Sequence, residues 1–328
     1  MTVSVLINNY NYGRFVGRAI RSVLAQDHGP VECVVVDDGS TDDSREVIAG
    51  FAGIKPVFKP NGGQTSAVIE GLAHCTGDIV IVLDADDSLD PQACSAVARA
   101  WRDDVSLVQY RLRKVDAEGR IVGEFPNAPF LPSGHKDHLL RWGEFPASPM
   151  SGNAFSRRYL LDAMGVDIGG YPVVKPLPWT DGYMIFAAPL AGRVEVIDRV
   201  LGSYFIHGMN TSTSGGQTAN ALRRHIRSIV AQKKALAWRL SQSLGAQRTW
   251  TSLVSAYDWR TLAFLRRAYP EDAAALAETS LSECCLRGAW RFATEPGISP
   301  AGRAKNILAL LFLPLLPLRV ARAKVPEG

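Results

Sequence analysis

Short, nearly unbroken apolar runs alternate with polar, turn-rich loops through the first hundred residues. Residues 3–7 (VSVLI), 31–36 (VECVVV) and 79–83 (IVIVL) are such runs, with a weaker one at 54–58. Runs of this length read as strands buried on both faces, the usual state in a parallel sheet. Between them the apolar positions change period. Phe15, Ala19, Ile20, Val23 and Leu24 fall at helical spacing and predict a helix over residues 14–26. Further helices are expected from the DDGST loop to about residue 51, over 65–75, and over 91–101 with Pro91 at the first helical position. Alternation on this plan predicts an α/β fold, a mostly parallel Rossmann-like sheet flanked by helices. The polar loops all follow strands, so Asn8 and Tyr10, Asp37 and Asp38, and Asp84 and Asp86 are expected on one rim, where open α/β sheets bind ligands.

Beyond residue 101 the rhythm changes. Strands are expected at 105–111 and 121–125, joined by a turn through Ala117, Glu118 and Gly119. Residues 126–153 are rich in Pro, Gly and Ser and read as loop. A helix over 157–164, another opened by residues 176–181 (PLPWTD) and running to 190, and two strands near 194–197 and 201–206 complete the region. From Ala219 the pattern is helical: Leu222, Ile226, Ile229, Val230, Leu236, Leu240 and Leu244 mark one amphipathic helix. Trp250, Leu253, Val254, Tyr257, Phe264 and Leu265 mark a second, and Pro270 can begin a third. The expected organisation is an α/β domain over 1–215 and a helical extension over 216–328.

Charge sharpens this division. Residues 1–216 carry 19 Lys and Arg against 25 Asp and Glu, net −6, whereas residues 217–328 carry 17 against 7, net +10. The basic part invites an anionic partner. It has no nucleic-acid-binding motif, so a membrane surface is the expected partner and nucleic acid is not. Residues 306–319 (NILALLFLPLLPLR) are apolar, broken by Pro314 and Pro317, and flanked by Arg303, Lys305, Arg319, Arg322 and Lys324. The run is too short to span a bilayer. It fits an interfacial anchor, or else a terminal helix packed on the domain. With 47% apolar and 21% charged residues the chain is globular. Five cysteines without a C-x-x-C argue for a reducing compartment and against a zinc site or disulfide frame. No signal peptide is evident. The expected location is cytoplasmic, peripheral at the inner face of the plasma membrane.

The chemistry concentrates at residues 78–91, DIVIVLDADDSLDP. Asp84, Asp86 and Asp87 lie where a buried strand ends. Carboxylates this close need a cation or a donor network to stay ionised. Hard oxygen ligands suggest Mg²⁺ or Mn²⁺; the alternative is a solvated acidic turn.

These motifs resemble the family 2 glycosyltransferases, which have the GT-A fold. The likeness covers roughly residues 2–210 and rests on VSVLINNYN, VVVDDGSTD, NGGQTSA, GDIVIVLDADD, WTD and IHGMNTS in that order. It implies an inverting enzyme that moves a sugar from a nucleotide-sugar, expected to be UDP-linked, to a glycan or lipid-linked acceptor in cell-surface polysaccharide or glycolipid synthesis. By position, Asn8 and Tyr10 fall where the family holds the base, and Asp38 where it hydrogen-bonds the base's N–H. Asp37 supports the loop, and Gln64 contacts nucleotide or donor sugar. Asp84 and Asp86 form the D-x-D motif, towards ribose and metal and directly on the metal. Asp181 stands at the general-base position; otherwise it is a helix-capping residue. His207 is a third metal ligand, a phosphate donor, or a loop histidine. This chain has Thr180, Ile69 and Asn8 where the family commonly has Glu, Asn, and Thr or Pro. Two other readings remain open, a nucleotidyltransferase and a non-catalytic scaffold of the same fold. The loop after the first strand is not a Gly-rich phosphate loop, and Asp86 and Asp181 are both present. A dehydrogenase is disfavoured because no G-x-G-x-x-G follows that strand.

Overall fold

The computed structural model describes residues 1–165, 181–207, 219–245, 249–270 and 279–324. The chain forms two compact units: Met1–Asp137 with Phe145–His207, and His138–Glu144 with Gly208–Gly328.

The first unit begins with β1 (Val3–Asn9), α1 (Gly13–Leu24), β2 (Val31–Asp37), α2 (Ser44–Ala49), β3 (Lys55–Phe58), α3 (Gln64–His74) and β4 (Ile79–Asp84). The apolar runs are strands for the reason their composition implies. Val5, Leu6 and Ile7 of β1 and Ile79 to Leu83 of β4 are all fully buried, so both faces of each strand are covered. Helix α1 buries Val16, Ala19, Ile20 and Val23, a stripe at i, i+3, i+4 and i+7. Strands β3, β2, β1 and β4 are parallel neighbours in that order.

After β4 come β5 (Ser88–Leu89), α4 (Ala93–Ala100), β6 (Val105–Val115), β7 (Ile121–Phe125), α5 (His135–Trp142), β8 (Asn153–Ser156), α6 (Arg157–Ala163), α7 (Asp181–Ala187) and β9 (Arg193–Phe205). The sheet runs β3-β2-β1-β4-β8-β6-β9-β5, with β7 beside β6. Strand β8 is antiparallel to both β4 and β6, so the sheet is mixed rather than mostly parallel.

Several expectations need correction. Helix α4 starts at Ala93, after a turn, so Pro91 precedes the helix. Residues 126–153 are not all loop: α5 lies within them, and Met150–Gly152 is a 3₁₀ turn leading into β8. His135 is therefore a buried helical residue packed edge-on against Phe145, not a loop residue. His138 is helical too, its Nδ1 meeting the Glu144 carbonyl at 2.7 Å. The two strands expected at 194–206 are one, β9, which stays beside β6 through register shifts. All five cysteines are free and buried.

The second unit contains α8 (Ala219–Leu244), a 3₁₀ turn at Trp250–Leu253, α9 (Ala256–Ala268), α10 (Leu281–Thr294), α11 (Pro300–Phe312), a 3₁₀ turn at Leu313–Leu315 and α12 (Leu318–Lys324). Ser255, Ser280 and Ser299 cap α9, α10 and α11 by accepting from backbone N–H groups three residues on. The helices enclose Ile226, Val254, Trp259, Leu262, Leu265, Phe292, Leu310 and Leu313. The helix expected to begin at Pro270 lies almost wholly outside the described residues.

Candidate active site

The polar rim forms at the carboxyl ends of β1, β2 and β4, as the strand pattern requires. In the parallel ladder Asn8 pairs in register with Asp84, and Asn9 with Asp37. The Asn8 side chain hydrogen-bonds the Asp84 carboxylate. Its buried Oδ1 has no partner.

The DDGST loop is locked by Asp37, which is fully buried. Its Oδ2 accepts from Asn9 Nδ2 at 3.0 Å, and its Oδ1 from Ser40 N at 3.1 Å and Arg45 Nε at 3.2 Å. Asp37 is thus the loop support the sequence implied. Asp38 reaches the neighbouring loop instead. Its Oδ1 accepts from Lys59 Nζ at 2.5 Å and Gly62 N at 3.0 Å, and its Oδ2 from Gly63 N at 2.7 Å. Gly63 has φ +85°, a conformation that favours glycine, and is the residue from which Gln64 starts α3. So Asp38 fixes the peptide that carries Gln64. Tyr10 is 46% exposed at the rim.

The acidic turn divides into two roles. Asp87, 1% exposed, is structural: its Oδ2 accepts from Ser151 Oγ at 2.6 Å and its Oδ1 from Phe205 N at 3.2 Å. Ser151 Oγ in turn accepts from Asp84 N at 3.1 Å. One hydroxyl therefore ties the end of β4 to the turn that follows. Asp84 and Asp86 are the partly accessible members. Burial pushes the Asp84 carboxyl well above its usual range, and the charges of Asp181, Asp87 and Asp86 push the same way.

His207 faces Asp86, its Nε2 donating to Oδ2 at 3.0 Å. Its ring stacks on Phe15 with centroids 4.2 Å apart. Arg18, on α1, supports the same corner. It donates to the Asp86 carbonyl at 2.6 Å and lies 3.4 Å from the centroid of the Phe205 ring. Desolvation lowers its pKa, against the charges of Asp87 and Asp86.

Asp181 is the first residue of α7. Its Oδ1 is buried with no hydrogen-bond partner. Desolvation raises its carboxyl from 3.8 to about 6, opposed by its own backbone N–H. Its influence on Asp84 puts the two carboxylates in one electrostatic neighbourhood. Trp179, Thr180 and the residues after His207 in the IHGMNTS motif lie outside the described residues.

What this site offers a divalent cation is a pair of carboxylates, those of Asp84 and Asp86, with unpaired acceptors beside them. Asp84 is crowded by three carboxylates, acceptors on Asn8 and Asp181 lack donors, and an oxygen of Asp86 already sits beside the imidazole of His207. Among the described residues no group of three His, Cys, Asp or Glu side chains is placed to hold a metal ion. One or two carboxylates completed by substrate phosphates is the usual holding of Mg²⁺.

Ser151, Arg18, Phe205 and Lys59 were not singled out by sequence reasoning. Phe205 directly precedes the IHGMNTS motif, but Ser151 falls in the stretch read as loop and Arg18 carries no local signal beyond an amphipathic helix.

Residues 4–165 match the family described as Glycosyl transferase family 2. An uncharacterised glycosyltransferase of Nostoc sp. is 36% identical over 230 residues, 67% of this chain and 69% of the relative. Chondroitin synthase of Pasteurella multocida is 26% identical over 263 residues, 75% of this chain but 23% of the synthase. Among solved structures, S. aureus TarS (residues 1–349) in complex with UDP-GlcNAc aligns over 99% of this chain and 93% of its own. The TM-score is 0.52 at 18% identity. The mannosyltransferase PcManGT of Pyrobaculum calidifontis, in complex with GDP-Man and Mn²⁺, covers 95% and 86% with a TM-score of 0.50 at 20% identity. The rim of strand-end carboxylates and these matches together establish that the chain belongs to glycosyl transferase family 2 and is a glycosyltransferase of GT-A fold.

Proposed function

We propose that this glycosyltransferase is inverting and metal-dependent. It moves a sugar from a nucleoside diphosphate, UDP by preference, to a hydroxyl of a glycan or lipid-linked acceptor. The observation that carries the reading is Asp181. A carboxylate with an open buried oxygen and a pKa of about 6, in the neighbourhood of the D-x-D acids, is a base poised near working pH. Asp181 takes the acceptor hydroxyl's proton. The freed oxygen attacks the anomeric carbon from the face opposite the leaving diphosphate, and the bond from that carbon to the diphosphate oxygen breaks with inversion.

Asp84 and Asp86 are the residues to hold Mn²⁺ or Mg²⁺ together with the donor's phosphates, with His207 beside Asp86; the ion when bound offsets the negative charge of the departing diphosphate. Asn8, Tyr10 and Gln64 bind the nucleotide, with the Tyr10 ring available to stack on the base, and Asp38 holds the loop that presents Gln64. The solved relatives are complexes with UDP-GlcNAc and with GDP-Man and Mn²⁺, which supports a nucleotide-sugar donor and a divalent cation. The likeness to a chondroitin synthase supports polysaccharide synthesis, for which a cytoplasmic enzyme peripheral to the inner face of the plasma membrane is suited. No described helix is long and apolar enough to cross a membrane.

The test is calorimetric titration of UDP, GDP and dTDP into the protein, with and without Mn²⁺. Mn²⁺-dependent binding of UDP is expected. Tighter binding of GDP would move the donor class, and absence of binding to folded protein would remove the catalytic reading in favour of a scaffold.

A further inference from the structure

The C-terminal helices bury one apolar face and leave another open. Along α11 and the turn after it, Asn306, Leu310 and Leu313 are buried, with Ile307 partly so. On the other side Leu308 (54%), Leu311 (54%), Phe312 (63%) and Leu315 (76%) are exposed. Leu308, Leu311 and Phe312, at i, i+3 and i+4, form one stripe along α11, and exposed Leu315 follows them in the 3₁₀ turn. Single exposed leucines are ordinary, but four large exposed apolar side chains this close together are not. The two sequence expectations for this tail are therefore not exclusive: the helix packs on its unit and still presents an apolar face.

The ends of the stripe carry exposed Lys305 and Arg319. Lys305 lies three residues before Leu308, on the same side of the helix. The residues from 217 to the end carry net +10. An apolar stripe between cations matches a bilayer interface with anionic headgroups: the leucines and phenylalanine enter the acyl boundary and the cations meet phosphate. A protein partner would need complementary acids to satisfy the same cations.

We infer that Leu308, Leu311, Phe312 and Leu315 form a docking face for an anionic lipid bilayer, flat on the surface and not spanning it. This deepens the membrane location proposed above and rests on that reading for its purpose. Vesicle binding is measured without turnover, so failure of one leaves the other intact.

The experiment is co-flotation of the full chain with vesicles of equimolar phosphatidylglycerol and phosphatidylcholine, and with phosphatidylcholine alone. The protein is expected to float with the anionic vesicles, less with the neutral ones, and less in high salt. Leu311→Glu with Phe312→Glu should weaken partitioning roughly a hundredfold, with UDP binding retained. Phe312→Trp keeps the face apolar, and its added fluorescence should be quenched by brominated lipid. Failure of the folded wild-type chain to float would overturn the inference. So would concentration-dependent self-association that the double substitution abolishes, because the stripe would then be covered by a second copy.

Discussion

Replacing Asp181 by Asn should separate two consequences of one burial. The folded carboxyl titrates at about 6 against 3.8 for an ordinary aspartate, because desolvation disfavours its charged form. Below pH 4 the side chain is neutral whether the protein is folded or not. Between pH 4 and 6 the unfolded chain ionises first, and above 6 the folded protein carries the whole cost of a desolvated charge. Stability from this group therefore falls as pH rises through that window. A shift of this size corresponds to about 3 kcal/mol, an upper bound because the side chain is only partly buried and solvent screens it. Asn keeps the shape and removes the charge. Thermal melts of wild type and Asp181→Asn should coincide near pH 4 and separate above pH 6, the variant melting higher by about 2–4 °C for each kcal/mol. Turnover should move the other way. Loss of a general base costs about 10²–10⁴-fold, while UDP affinity is retained, and the wild-type rate should rise with pH through about 6. A variant with normal turnover would place the base elsewhere. A stability gain that does not depend on pH would mean that the Asp181 carboxyl is not desolvated.

Three further outcomes are expected. Asp86→Ala should abolish the Mn²⁺-dependent part of UDP binding by calorimetry, and UDP binding that still responds to Mn²⁺ would remove Asp86 from the metal site. Ser151→Ala leaves the buried Asp87 carboxylate with one donor fewer and Asp84 N without its acceptor. It should cost about 2–3 kcal/mol in denaturant titration, and an unchanged midpoint would mean the hydroxyl is replaceable. In the helical unit Glu295 is raised from 4.5 to about 7, first by desolvation and then by the charge of Glu144. Glu295→Gln should therefore stabilise the protein at pH 8 but not at pH 4, and equal melts at pH 8 would refute the assignment.

The part of the fold that positions the site was legible because its strands are buried on both faces. Such strands leave an unmistakable apolar run, and their ends mark the rim. The second half of the sheet was harder to read. Strand β9 carries Asp198 and Arg199 at exposed positions in its middle, which divide one strand into two apparent ones. Helix α5, HKDHLLRW, has too few apolar residues to show a period within a Pro-rich stretch. The acids of the site announced themselves by clustering, but the division of labour among them did not. What makes Asp87 structural is Ser151, 64 residues away, and what braces Asp86 is Arg18, 68 residues before it. Contacts across such separations follow from the strand order, which the alternation of apolar runs does not encode.

The discontinuous second unit bears on how this protein can be recombined with others. Residues 138–144 come from inside the first unit's stretch of chain yet belong with the helices. Lys233 donates to the Gly143 carbonyl at 2.9 Å, and Arg291 to the Trp142 carbonyl at 2.6 Å. Gly143 has φ +78°, and a side chain there would collide with the Leu253 backbone. A cut near residue 215 would strip these carbonyls of their donors and expose a segment shaped to fit α8 and α10. The helical portion is not a cassette that can be exchanged at a single junction. A chimera has to carry both pieces of the unit, the seven-residue insert as well as the tail, or redesign the insert.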